Sequence, residues 1–134
     1  MDTDIPRLLA AKYAKFVDDR TFSRMTEIMA EEFTQQGPGF GSGSLQEFIV
    51  NLEFLNQYSA TLHMVGNQIG EWHNAIYTGE TWCVATHIYD TEGVARKLDM
   101  GIRYQDVIEE VAGHFRYTSR DLNVVWTQDL PCQA

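Results

Sequence analysis

Three ionisable side chains stand out for where they fall in the chain. Asp18 closes an apolar repeat directly after Phe16-Val17, and His63 sits in Leu62-His63-Met64-Val65 with apolar neighbours on both sides. Arg120 follows Phe115-Arg116-Tyr117-Thr118-Ser119 near the end. An imidazole, with an ordinary pKa of roughly 6.5, can take a proton and return it near neutral pH. A carboxylate can support that exchange, and a guanidinium can stabilise developing negative charge. Each residue also has a plain structural reading. A helix-end Asp is ordinarily solvated, a strand His hydrogen-bonded in place, and a strand Arg paired with a surface acid. Residue types alone leave the reading at a soluble α+β domain.

Other chemistry is weakly represented. Gly37-Pro38-Gly39-Phe40-Gly41-Ser42-Gly43 is rich in glycine but lacks the Lys-Ser/Thr ending of a phosphate-binding loop, so it reads as a flexible lip. Cys83 and Cys132 have neither metal-ligand nor redox spacing and read as buried free thiols, a disulfide between them being the alternative. His73 and His114 fall at turns and read as solvated. Neither metal nor cofactor is expected.

Composition narrows the field. The chain has 134 residues, 44% hydrophobic and 22% charged, which suits one compact domain over 1–134 and not a disordered chain. Ten basic against nineteen acidic residues give a formal charge of −9, and the densest basic pair is Arg96-Lys97. Such a surface repels phosphate backbones, so neither nucleic acid nor an anionic membrane is an expected partner. No apolar run approaches the roughly 18 residues of a membrane span. The acidic start, Met1-Asp2-Thr3-Asp4, is unlike a basic targeting segment, and a cytoplasmic location is expected.

The elements that must position the three residues come in two blocks. Asp4-Ile5-Pro6 signals a helix start, and Leu8, Leu9, Lys12, Tyr13, Phe16 and Val17 recur at helical spacing through about Val17. Phe22, Met25, Ile28 and Met29 suggest a second helix capped by Thr21, and Glu31–Gln35 a short strand. Ser44-Leu45-Gln46-Glu47 is a capping box, followed by a stripe of Leu45, Phe48, Ile49, Leu52 and Leu55. From Ser59 the pattern turns to strands at Thr61–Ile69, Ala75–Asp90, Arg96–Val107 and His114–Trp126, with Gly70 and His73-Asn74, Thr91-Glu92-Gly93 and Ala112-Gly113 as turns. Leu98, Met100, Ile102 and Tyr104 share one face of their strand. Helices first and long antiparallel strands after predict an α+β fold, helices covering one face of a curved sheet.

The order of several short motifs resembles the SnoaL-like branch of the nuclear transport factor 2 superfamily, whose cystatin-like fold is a cone. They are Tyr13-Ala14-Lys15-Phe16-Val17-Asp18, His63-Met64-Val65-Gly66-Asn67, Gly79-Glu80-Thr81, Gly101-Ile102-Arg103-Tyr104-Gln105-Asp106 and Phe115-Arg116-Tyr117-Thr118-Ser119-Arg120. The chain departs where that branch has Gly-x-Trp, reading Gly113-His114-Phe115 instead. The resemblance extends to scytalone dehydratases, bile-acid dehydratases and dehydrochlorinases. It implies an Asp18–His63 pair inside the cone, with Tyr13 and Arg120 assisting.

On that basis the expected activity is a cofactor-independent lyase, a dehydratase or related eliminase acting on a cyclic, mostly apolar small molecule. His63 would be the general base, Asp18 its orienting partner, and Tyr13 and Arg120 proton donor and charge stabiliser. Phe48, Leu52, Met100, Ile102 and Tyr104 are expected to line the substrate pocket, with Leu9, Phe16 and Leu98 among the apolar walls. His87 joins them if Thr81, Cys83 and Ala85 face inward; the even-numbered face with Trp82, Val84 and Thr86 is the alternative. An isomerase or polyketide-type cyclase in the same pocket is the second reading, and a non-catalytic ligand-binding or assembly domain the third. The resemblance also implies a homo-oligomer, dimer or trimer, with Trp72 and Trp126 as packing or contact residues.

Overall fold

The computed structural model describes residues 4–134. Its first helix, α1, runs Asp4–Asp18 and buries Leu9, Ala10, Tyr13, Ala14, Phe16 and Val17, the stripe that three- and four-residue spacing lays on one face. Burying a side chain such as Phe16 contributes on the order of 2 kcal/mol. Residues 22–27 form a 3₁₀ turn instead of the expected second α-helix, and the Thr21 side chain makes no cap hydrogen bond. Phe22 and Met25 are buried three residues apart, a spacing that a 3₁₀ turn serves as well as an α-helix. Ile28 ends this turn and Met29 opens strand β1, Met29–Gly37.

The glycine-rich segment is the hairpin between β1 and β2, Phe40–Ser42, with Gly39 at φ +78° in its turn. Helix α2, Leu45–Leu52, starts at Ser44, whose hydroxyl accepts the backbone N–H of Glu47 at 3.1 Å. A 3₁₀ turn, Glu53–Gln57, follows.

Four long strands complete the chain: β3 Ala60–His73, β4 Ile76–Thr91, β5 Val94–Val111 and β6 His114–Pro131. All overrun their expected ends. Gly70 lies within β3 and not in a turn; the Tyr77 ring packed across the strand pair leaves no room there for a side chain. The reversal falls instead at Asn74 and Ala75, both with positive φ.

The strands form one six-stranded sheet ordered β2-β1-β6-β5-β4-β3, antiparallel throughout except for β1 beside β6. Register shifts at Val65/Gln68, Gly101/Ile102 and Val107/Ile108 bend the long strands, and the sheet curves without closing. The helices pack against it, making an α+β fold with the apolar core between helices and sheet. No helix among the described residues is long and apolar enough to cross a membrane.

Candidate active site

A cavity of about 670 Å³ opens between the helices and the sheet. Tyr13 and Val17 of α1, Gln35 of β1, the 39–42 hairpin, Phe48, Asn51 and Leu52 of α2, and Leu55 and Tyr58 form one side. His63, Ala85, His87, Met100, Ile102, Tyr104 and Leu122 form the sheet side. Leu9 and Phe16 belong to the core behind this wall and, like Leu98, do not line it. The odd-numbered set of β4 faces inward, so His87 does as well. A second cavity of about 790 Å³, walled by Arg7, Ala11, Gly66, Asn67 and Trp82, has no histidine, tyrosine or carboxylate among the described residues that line it.

Asp18 ends α1 beside β3, where its carboxylate takes part in three hydrogen bonds. Its Oδ1 lies 2.8 Å from His63 Nδ1 and accepts the Thr61 hydroxyl at 2.9 Å; its Oδ2 accepts the His63 backbone N–H at 2.8 Å. A carboxylate only accepts, so Nδ1 carries a hydrogen, and in the neutral ring Nε2 is the basic nitrogen. Thr61 in turn accepts from Arg20 Nη1 at 2.7 Å. Arg20, at φ +61°, also reaches the carbonyls of Val17, Leu55 and Tyr58, which ties the end of α1 to the 53–57 turn. Burial pushes the Asp18 carboxyl up, but the hydrogen bonds from His63 and Thr61 outweigh it and hold the group below its ordinary pKa. Neither Thr61 nor Arg20 is singled out by the sequence; a Thr two residues before a strand His is the available signal.

Tyr13 meets the His63 ring edge-on, centroids 6.3 Å apart, and Tyr104 at 5.7 Å. Burial raises the Tyr13 pKa while Arg120, Gln35 and Tyr104 oppose the rise, so it remains a neutral phenol and a hydrogen-bond donor. The His87 ring centroid lies 6.4 Å from that of His63, and its Nδ1 is 3.0 Å from the Leu98 carbonyl, to which it donates. Burial lowers the His87 pKa more than that contact raises it, which favours the neutral ring.

Arg120 is placed differently. Its side chain is sealed beneath the cavity wall, with Nε donating to Asp106 Oδ1 at 2.9 Å. The guanidinium carbon lies 3.8 Å from the Tyr104 ring centroid, 4.3 Å from that of Tyr13 and 4.9 Å from that of Tyr117. It backs two lining tyrosines and does not touch the cavity. Asp106 also accepts the Thr81 hydroxyl at 2.7 Å, and Gln68 donates to Thr81 at 3.1 Å. Burial pushes the Asp106 carboxyl up against the pull of Arg120 and Thr81.

The remaining expectations resolve simply. Both cysteines are free; Cys83 is buried, and burial lifts its pKa to about 11, whereas Cys132 is only partly buried. His73 and His114 are exposed. Trp72 packs on Tyr77 and Phe115, and Trp126 is exposed on the outer face.

No protein-family model and no curated protein matches the sequence. Solved structures do match in three dimensions. A candidate scytalone dehydratase from Novosphingobium aromaticivorans superposes with a TM-score of 0.82 at 18% identity, covering 96% of this chain and 87% of its own. A hexachlorocyclohexane dehydrochlorinase of type 2 gives 0.78 at 14%, covering 91% and 84%. The ActVI-ORFA protein of Streptomyces coelicolor gives 0.69 at 13%, covering 90% and 95%. The chain thus has the nuclear transport factor 2-like fold that its sequence motifs resemble.

Proposed function

We propose that the protein is a cofactor-independent lyase of the dehydratase or dehydrohalogenase type. One observation carries the reading: a histidine on the cavity wall has one ring nitrogen engaged by a carboxylate and the other left as a base. His63 Nε2 takes a proton from carbon, the C–H electron pair forms the new double bond, and the leaving group departs from the adjacent carbon with its bonding pair. Asp18 stabilises the imidazolium that results. Tyr13, a neutral phenol on the same wall, donates its proton to the departing group and recovers one from the His63 imidazolium, and Arg120 steadies Tyr13 and Tyr104 from behind as a positioning residue. General base catalysis of this kind supplies about 10² to 10⁴ in rate.

The fold is shared with a candidate dehydratase and a dehydrochlorinase, which supports elimination over other proton transfers at such a base. Walls of Val17, Phe48, Leu52, Met100, Ile102 and Leu122 suit an apolar ring compound. The test is a panel of cyclic β-hydroxy and β-halo compounds followed by the absorbance of the new double bond. Turnover is expected with wild type and not with His63→Ala; equal turnover in both overturns the reading.

The outer face of the sheet carries Leu62, Met64, Trp82, Val84, Val125 and Trp126, all exposed. Met64, Val84, Gly101 and Trp126 fall on one line across four strands, and the absent side chain of Gly101 leaves room for the Trp126 indole. We propose that a second copy covers this apolar row. Sedimentation of wild type and Trp126→Glu tests it: wild type is expected to associate and the variant to be monomeric, and a monomeric wild type removes the proposal.

A further inference from the structure

Helix α1 closes with a pattern that ordinarily calls for glycine. The Arg20 N–H donates to the Val17 carbonyl at 3.1 Å and the Thr21 N–H to the Phe16 carbonyl at 2.9 Å, the two bonds that end a helix through a left-handed residue. That residue is Arg20, at φ +61°, where a side chain is disfavoured and glycine is the usual choice. Such a conformation persists only where surrounding contacts hold it. Here the guanidinium supplies them. Its Nη1 donates to the Val17 carbonyl at 2.9 Å and the Thr61 hydroxyl at 2.7 Å, and its Nη2 to the carbonyls of Leu55 at 3.2 Å and Tyr58 at 3.4 Å. A guanidinium cannot accept, so the Thr61 oxygen takes its hydrogen bond from Arg20, and the single Thr61 hydrogen goes to Asp18 Oδ1 at 2.9 Å. Leu55 and Tyr58 line the cavity, and the Tyr58 ring centroid lies 4.9 Å from that of His87. One side chain thus holds both the support of the carboxylate and the adjoining cavity wall.

We propose that Arg20 is the positioning residue of the Asp18–His63 pair, fixing the direction of the Thr61 hydroxyl and, through it, the carboxylate that holds His63 Nδ1–H. The catalytic meaning of this role rests on the lyase reading; the geometry does not. Without the guanidinium the Thr61 hydroxyl is free to rotate away from Asp18, and the carboxylate keeps only its bonds to His63. The same contacts set Leu55 and Tyr58 at a fixed place relative to the base, so a ring seated against them meets Nε2 in one orientation. Arg20 also brings a positive charge close to the cavity. Burial does most to hold the His87 pKa down, and the charges of His63 and Arg20 add to it, against the Leu98 carbonyl and Asp18. Tyr58 against the ring and Asp99 across the sheet are the other titratable groups beside His87.

Two variants separate charge from geometry. Arg20→Gly suits the left-handed backbone and removes the side chain, so the fold is expected to survive, as read by circular dichroism. Arg20→Lys keeps the charge and loses the planar fork. In ¹⁵N spectra of protein labelled at histidine, the preference of the neutral His63 ring for Nδ1–H over Nε2–H is expected to fall about 10-fold in both variants. The His87 titration is expected to move up in Arg20→Gly and to stay in place in Arg20→Lys. An unchanged His63 preference in Arg20→Gly, or a His87 titration that the two variants affect alike, overturns the proposal, since a contact that only holds the fold together would not tell them apart. An Arg20→Gly chain that does not fold leaves the His63 preference in Arg20→Lys to decide: a fall supports the proposal, and no change overturns it. Failure of the lyase reading appears in wild-type turnover on the substrate panel, whereas this role is read without any substrate.

Discussion

The cone holds two pairs of carboxylate and nitrogen base, and they differ in what can reach them. Asp106 and Arg120 are each 1% exposed, share a hydrogen bond and lie behind Tyr13, Tyr104 and Tyr117. In the Asp18–His63 pair the side chains are 17% and 7% exposed, and the imidazole forms part of the cavity wall. Arginine never gives up its proton, so a sealed guanidinium can only stabilise and position. Histidine changes charge near neutral pH, and against an apolar cavity that change is available to a bound molecule. Which pair does chemistry follows from which cation can titrate where a ligand can touch it.

The largest difference between the pairs is expected in turnover. Asp18→Asn leaves the shape of the carboxyl and removes its charge, so elimination is expected to fall about 10²-fold or more with the fold retained, as read by assay and circular dichroism together. Undiminished turnover would place the base elsewhere.

The sealed pair is expected to answer in stability. Arg120→Met strands a buried carboxylate and is expected to cost about 3 to 5 kcal/mol in denaturant unfolding. The double variant Arg120→Met/Asp106→Leu, which strands nothing, is expected to cost less than either single change. A double variant as unstable as the sum of its singles would mean that the two sites are not coupled.

A smaller effect is expected at the support of Asp18. Thr61→Val removes one hydroxyl donor to the carboxylate and one acceptor from Arg20, a loss of about 1.5 kcal/mol. Chemical denaturation measures it, and an unchanged midpoint would make this network incidental.

The least effect is a pH dependence. Burial holds His87 below its ordinary pKa. As pH falls below about 6.5, the unfolded chain takes up a proton there before the folded one does, so stability declines over the interval down to the folded pKa. His87→Gln is expected to flatten that part of the profile. Asp18 acts lower: its folded pKa is depressed, so its contribution is complete above the ordinary carboxylate range and lost as pH falls through the folded value. Thermal melts across pH 3 to 8 in the two single variants separate these contributions.

How much of this was legible in the sequence follows the range of each signal. Helical spacing through Val17 leaves Asp18 at the end of α1, and strand alternation marks Leu98, Met100, Ile102 and Tyr104 as sharing a face. Both are local patterns. The partner of Arg120 was not legible, because Asp106 lies directly opposite it only through the β5–β6 register, which the shift at Val107/Ile108 sets. The face of β4 was likewise open until pairing placed Ala85 and His87 inward. Gln35 was hidden because a short polar strand does not say which residues look inward. Residues 22–29 read as one helix in the sequence because spacing alone does not separate a 3₁₀ turn from an α-helix.

The central claim is that His63 presents an unprotonated Nε2 to the cavity because Asp18 holds its Nδ1–H. Imidazole ¹⁵N shifts, read with ¹H coupling on protein labelled at histidine, report this directly. For the neutral ring the account predicts a protonated Nδ1 and a bare Nε2 in His63, with the preference lost in Asp18→Asn. A proton on Nε2, or a tautomer mixture that Asp18→Asn leaves unchanged, would contradict it.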